Sequence, residues 1–255
     1  MSKKTNYSYV GIAFIILLFG IIFVPKIINR VTKGDIIRDE SRSKDVSTST
    51  IGDKTKKQNK SGLVYLEING QAKKVPAFSF TNQDGKTITN KDYLGKVYIV
   101  EFFFTTCPTI CPIMNRNLVE VQNKFDGIEN FGVASFSIMP QVDTPEVLKA
   151  YADKYGITNP NWNLMTGEFD DIFKLANIGF NIFVGEETED EYGFEHSGDF
   201  ALIDKEGYIR SRKDDFGNPK IFYKGFIPEA TGVDEDGFEQ EITILKEDIA
   251  KLLKE

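Results

Sequence analysis

Cys107 and Cys111 are the two cysteines of the chain, set four residues apart in Phe104-Thr105-Thr106-Cys107-Pro108-Thr109-Ile110-Cys111-Pro112, directly after an apolar, strand-like run. Thiolates are the preferred protein ligands of copper(I) and also the nucleophiles of disulfide exchange, so the pair is either a soft-metal site or a redox couple. If Cys111 opens a helix and Cys107 lies in the loop before it, both sulfurs point into one small volume, with Cα atoms about 6 Å apart. That separation is also one a disulfide tolerates. Amides at a helix N-terminus would lower a thiol pKa and so serve either chemistry. A purely static staple is the weaker reading, because closing so short a loop removes little chain entropy.

His196, the single histidine, stands in Tyr192-Gly193-Phe194-Glu195-His196-Ser197-Gly198-Asp199. A lone histidine is usually a surface or core-edge residue with a satisfied hydrogen bond. This one follows an acidic stretch, residues 186–195, whose composition is that of a solvated loop, and such loops are where ligands close over a site. Two thiolates and one imidazole form a low-coordinate set suited to copper(I), and with an added ligand they hold copper(II). A zinc site of the same donors would be of the open, catalytic kind.

The elements that must position these residues are legible in the pattern around them. Residues 96–104 have the β-branched and aromatic enrichment of a buried central strand, and residues 111–124 carry Met114, Leu118 and Val121 at helical spacing. The cysteines therefore fall at a strand-to-helix junction. A strand is expected over 131–139, a helix capped by Thr144 with Pro145 in its first turn running to Tyr155, and a further helix over 169–176. Residues 200–210 read as a hairpin turning at 204–207, and residues 242–253 as an amphipathic C-terminal helix. Extended segments over 64–68 and 75–80, with a turn at Asn82-Gln83-Asp84-Gly85, suggest a hairpin at a sheet edge. Strand, helix, strand and helix, followed by a hairpin and a helix, is the order of an α/β thioredoxin-like fold: a central mixed sheet flanked by helices.

Outside that domain the composition changes twice. Residues 9–25 are an unbroken uncharged run between Lys3 and Lys4 on one side and Lys26 on the other, and Ile27 and Ile28 extend it if Lys26 snorkels. With no small-residue cleavage site after it and no cysteine near its end to carry a lipid, residues 1–30 read as an uncleaved single-span membrane anchor. The flanking positive charges nearly tie, so charge alone does not orient it. Residues 31–61 are polar and without hydrophobic period, a tether whose span as a flexible coil is roughly 30 Å. The folded domain is then 62–255, and the 255-residue chain at 41% hydrophobic content can bury a sizeable core there. Its 38 acidic against 31 basic residues, a net charge of -7, argue against nucleic acid as a partner.

The domain resembles the Sco/SenC family of membrane-anchored, thioredoxin-like copper proteins of cytochrome c oxidase assembly. The likeness runs from Val75-Pro76-Ala77-Phe78 through Gly95-Lys96-Val97, the CPxxCP core, Asp143-Thr144-Pro145-Glu146-Val147-Leu148 and His196-Ser197, to Asp248-Ile249. A thioredoxin proper would carry two residues between its cysteines, not three. The resemblance implies Cys107, Cys111 and His196 as copper ligands, and a domain held outside the cytoplasm by an anchor whose N-terminus is cytoplasmic. Two departures stand out: Glu195 where the family often has aspartate before the histidine, and Ile138-Met139-Pro140 where it often has Val-Asp-Pro. Residues 213–238 form an extra loop beyond the family minimum.

Two functions of different class follow. In the first the chain is not an enzyme: it receives copper from a donor, holds it as Cu(I) or Cu(II), and passes it by ligand exchange to a copper-accepting cytochrome c oxidase subunit. In the second it is a thiol-disulfide oxidoreductase, itself served by a thiol reductant, in which Cys107 attacks a partner disulfide and Cys111 resolves it. A thiol peroxidase is a third, suggested by fold similarity alone.

Overall fold

The computed structural model describes Phe19 and residues 61–68, 70–186, 194–214 and 216–255. The expected anchor, apart from Phe19, and nearly all of the expected linker lie outside the described residues. Among the described residues no helix is long and apolar enough to cross a membrane.

The centre of the domain is β6 (Val97–Phe103), every residue of which is buried. It pairs in parallel with β7 (Phe131–Ser137), which pairs in parallel with β8 (Trp162–Thr166). Parallel strands covered on both faces read as continuous apolar runs rather than alternating ones, and Val97-Tyr98-Ile99-Val100-Glu101-Phe102-Phe103 is such a run with one exception, Glu101. Antiparallel strands finish both sides. On one side β11 (Asp199–Ile203) pairs β6, β12 (Ile209–Ser211) pairs β11, and β1 (Val64–Tyr65) pairs β12. On the other β4 (Ser79–Asn82) pairs β8, and β5 (Thr87–Thr89) forms an edge hairpin with β4 across the turn expected at 82–85, whereas the segments over 64–68 and 75–80 do not pair with each other.

Helices α1 (Cys111–Lys124), α2 (Pro145–Tyr155) and α4 (Ile242–Lys254) lie where periodicity places them. Thr144 caps α2 by accepting the Val147 N–H, and Gly156 ends it in the left-handed conformation, so both termini carry a sequence-encoded stop. The α1 helix packs on α2 and α4, and α4 on β6. The mixed sheet with flanking helices is the architecture expected.

Where the elements differ from expectation the causes are local. The segment over 75–80 becomes strand only at Ser79, because Pro76 has no N–H for a ladder. The one over 64–68 divides into β1 and a separate hairpin of β2 (Glu67–Ile68) and β3 (Gln71–Ala72). β7 stops at Ser137, ahead of Pro140, with Ile138 N–H still donating to the Phe103 carbonyl. The helix over 169–176 is an α-helical turn, α3 (Phe169–Lys174), that widens into a π-helix over Leu175–Phe180. β8 was not anticipated, nor was the small hairpin of β9 (Val184–Glu186) and β10 (Phe194–His196).

One turn design recurs four times. Asn82, Asp204, Asp214 and Asp234 each accept, through a single side-chain oxygen, the N–H groups two and four residues ahead. Each has glycine in the left-handed region at its fourth position: Gly85, Gly207, Gly217 and Gly237. The side chain mimics a backbone turn and glycine supplies the positive φ without steric cost.

The extra segment after β12 is an integral strap rather than a loose loop. Its strand β13 (Tyr223–Lys224) pairs with Asp199 and Phe200 of β11. Beneath it Asp248 of α4, fully buried, accepts hydrogen bonds from Arg212 at 2.7 and 2.8 Å, the Tyr223 hydroxyl at 2.9 Å and Lys251 at 2.8 Å. Burial alone would raise the Asp248 carboxyl, but these donors outweigh it and hold it below the usual aspartate range. Its contribution is therefore present at neutral pH and fades as pH falls through the acidic range. We expect Asp248→Ala to lower the unfolding free energy by about 3 kcal/mol, the cost of stripping one partner from a buried ion pair. Urea titration at pH 7 reads this directly; a loss within experimental error would show that the network does not hold the strap.

Candidate metal and thiol site

The loop that carries the cysteines begins where β6 ends. Asp143, with no exposed surface, receives the Thr105 N–H at 3.1 Å, the Thr105 hydroxyl, and the Ser137 hydroxyl at 2.5 Å. One carboxylate thus ties the end of β6, the end of β7 and the start of α2. The chain then turns, with the Cys107 N–H on the Phe104 carbonyl at 3.3 Å, and enters α1 at Cys111, with Pro112 in the first turn where a missing N–H costs nothing.

The two sulfurs are unequal. Cys107 is 7% exposed and Cys111 is fully enclosed; both are thiols. The Cys107 sulfur lies 3.5 Å from the Cys111 N–H, which donates to it, and 3.7 Å from the Thr109 hydroxyl. The helix N-terminus therefore addresses Cys107. The expectation that helix amides lower a thiol pKa fails at Cys111: burial, with the neighbouring Cys107 sulfur as a further cause, pushes this thiol far upward and keeps it protonated. Met139, at the position of the second family departure, receives the Thr106 hydroxyl on its sulfur at 3.7 Å, so a thioether borders the residue next to Cys107.

Behind Cys111 is a group that sequence reasoning missed. Glu101 is fully buried in β6; one carboxylate oxygen accepts the Ser135 hydroxyl at 2.6 Å, and Ser135 in turn accepts the Trp162 indole N–H at 2.9 Å. Its other oxygen has no hydrogen-bond partner among the described residues. Burial raises the Glu101 carboxyl to about 8, against the lowering effect of Ser135. A single acid inside the apolar run over 96–104 was the visible signal, since a buried charge without a partner neutralises itself.

For His196 the backbone is described. It closes β10, opposite Val184 of β9, and a tight junction joins it to the cysteine loop. Gly198, two residues on, has φ +70°, and a Cβ there would meet Phe226 at 2.8 Å and Ile110 at 3.2 Å. Ile110 is the residue between the two cysteines that caps α1. Gly225 of the strap donates to the Gly198 carbonyl at 2.9 Å, and Asn117 of α1 donates to the carbonyls of Gly225 and Ile227 at 2.8 and 2.9 Å. The histidine-bearing segment, the cysteine-bearing helix and the strap thus meet at one glycine. Among the described residues no group of three His, Cys, Asp or Glu side chains forms a ligand cluster. The donor set in place is the pair of adjacent sulfurs, whose softness fits copper better than a hard cation.

A mixed sheet whose central parallel strand leads into a loop with one thiol and a helix that opens on the other defines a thioredoxin-like thiol protein. The family assignment is firmer still: residues 67–225 match the SCO1/SenC family model, and the chain belongs to that family. It is 34% identical over 160 residues to the SCO1 protein homolog of Bacillus subtilis, covering 58% of this chain and 82% of that protein. A Stutzerimonas stutzeri protein provisionally described as copper-binding is 28% identical over 142 residues, 53% of this chain and 67% of that one. The solved structure of BsSco, described as a Sco-family cytochrome c oxidase assembly protein with a disulfide switch, superposes with TM-score 0.55 at 26% identity over 71% of this chain and 94% of its own. Phe226 and Ile227, through which the strap meets Gly198 and Asn117, fall just beyond the family-matched residues.

Glu101 gives the domain a pH signature. The unfolded chain releases this proton near pH 4.5 and the folded one near 8, so the stability due to the neutral carboxyl is full below about 4.5, falls by about 1.4 kcal/mol per pH unit, and is gone above about 8. Cys111 and Tyr151, both raised by burial, stay neutral throughout that window. Urea midpoints of the wild type should therefore fall from pH 5 to pH 8 relative to those of Glu101→Gln; parallel profiles would overturn the assignment.

Proposed function

We propose that this chain is a copper-handling assembly factor for cytochrome c oxidase, with Cys107, Cys111 and His196 as the ligands. The observation that carries the reading is the junction at Gly198, where the histidine-bearing segment abuts Ile110 between the cysteines. Family membership and the copper-binding and oxidase-assembly descriptions of relatives support it. Cys107, the slightly more accessible of two buried sulfurs, would receive the ion; Cys111, giving up its proton as it binds, and His196 would complete a low-coordinate set, and ligand exchange with a cysteine-bearing oxidase subunit would release it. No substrate is turned over. In the same reading residues 1–30 anchor the chain, 31–61 tether the domain, and 62–255 work outside the cytoplasm.

The asymmetry of the sulfurs favours a second role at the same site. A Cys107 thiolate attacks a partner disulfide, the partner's leaving sulfur takes a proton, and Cys111 loses its proton as it displaces the second partner thiol. Two electrons pass to the partner and the Cys107–Cys111 disulfide remains, to be reduced by an external dithiol. Such a step would keep a partner's copper-site cysteines reduced.

Metal stoichiometry and copper(II)-thiolate absorption of the reduced chain separate the two. One tightly held copper per chain is expected, weakened in both Cys107→Ser and His196→Ala. A wild type that holds no copper, or that is indifferent to losing His196, would transfer the assignment to thiol exchange, and the reduction potential of the cysteine pair would become its defining quantity.

A further inference from the structure

The histidine-bearing strand belongs to a hairpin that stands apart. β9 and β10 form a two-stranded sheet of their own, outside the main sheet. An isolated two-stranded hairpin is at best marginally stable in water, so its position has to come from outside itself. At its C-terminal end that role falls to Gly198. At its other end the backbone shows what holds it.

Val184 and His196 are opposite one another in register. The bond beside them runs from the Ser197 N–H to the Phe183 carbonyl at 3.2 Å, which makes Val184–His196 a non-hydrogen-bonded pair. The N–H and C=O of Val184 therefore point away from β10, and Val184 is buried. Buried backbone groups need partners, and leaving them unmade costs more than an average hydrogen bond contributes. Both partners are supplied by one side chain. The Asn177 amide donates to the Val184 carbonyl at 2.9 Å and accepts the Val184 N–H at 3.3 Å. Its Nδ2 also donates to the Phe173 carbonyl, four residues back, at 3.2 Å. Asn177 lies inside the π-helix, and the same stretch takes the Ile182 N–H on the Ala176 carbonyl at 3.0 Å.

From this we infer that Asn177 is the positioning residue of the histidine ligand: through Val184 it fixes where the His196 strand stands relative to the cysteines, without itself touching the ion. A hydrophobic residue at 177 would remove both bonds, and serine or threonine would be too short to form the pair together with the bond to Phe173. The inference rests on His196 being a ligand, as proposed above.

The test is a double-mutant cycle of Asn177→Ala and His196→Ala in the full, reduced chain, with copper(I) partitioned against a chromophoric chelator. Residues that orient a ligand typically change metal affinity ten- to a hundredfold, and Asn177→Ala should do so. Because it acts through His196, the double variant should bind no more weakly than His196→Ala alone. Amide exchange provides a reading independent of metal: the Val184 N–H should exchange faster in Asn177→Ala, with the protection of β6 unchanged. If Asn177→Ala does not fold, Asn177→Asp keeps the acceptor for the Val184 N–H and loses the donor; it should show a partial loss of affinity. Wild-type affinity in either variant beside a weakened His196→Ala, or losses that multiply in the double variant, would overturn the positioning role alone. Full retention of copper by His196→Ala would overturn the ligand assignment and this role with it.

Discussion

The carboxylate of Asp143 is the point on which the cysteine loop depends. A loop leaving a buried parallel strand carries backbone polar groups into a place without water, and each must find a partner inside the protein. Asp143 answers that need for three elements at once, through Thr105 after β6, Ser137 at the end of β7, and its own place beside the Thr144 cap of α2. A charged acceptor makes stronger hydrogen bonds than a neutral one and in a dry site holds its donors firmly. The loop between Thr105 and Cys111 starts from a fixed point because of it, and the direction in which α1 departs follows.

The order of elements was legible because its signals are local and mutually consistent. The apolar run of β6, the 3.6-residue period of α1, the Thr-Pro start of α2 and the Asx-x-x-Gly turns all specify themselves over a few residues. β8 escaped because Trp162-Asn163-Leu164-Met165-Thr166 is short and mixed in polarity; its pairing with β7 and β4 makes it a strand. The β9–β10 hairpin escaped for a related reason, since its strands are brought together across an intervening acidic stretch and are held by a side chain from a helix. Of the site, the cysteines and the histidine were visible by type and spacing. Glu101 showed only as an acid in an apolar run, with its partner Ser135 far along the chain; the role of Asn117 arises from contacts distant in sequence, and that of Asn177 from a π-turn and a strand that periodicity does not announce.

Burial also divides labour between the two sulfurs in a way that spacing does not reveal. A thiol at the first residue of a helix would ordinarily be thought activated, yet Cys111 is enclosed by protein and its ionised form is disfavoured, while its amide serves the other sulfur. Cys107 keeps a small accessible fraction, and Cys111 keeps none. The strap is fixed to both α1 and the segment after the histidine. What reads in the sequence as an insertion becomes, through β13, Gly225 and the bonds from Asn117, part of the framework that joins β11 to α1.

The π-helical turn carries a further consequence. A π-turn spaces its hydrogen bonds one residue wider than an α-helix and survives only where surrounding contacts favour it. A π-turn takes up one residue more than the α-turn it replaces, so removing one residue from Leu175–Phe180 would restore ordinary α-helix and change which side chain stands opposite Val184. The length of this stretch is thus a gauge block: it sets the spacing among Phe173, Asn177 and Val184 on which the three bonds of the Asn177 amide depend.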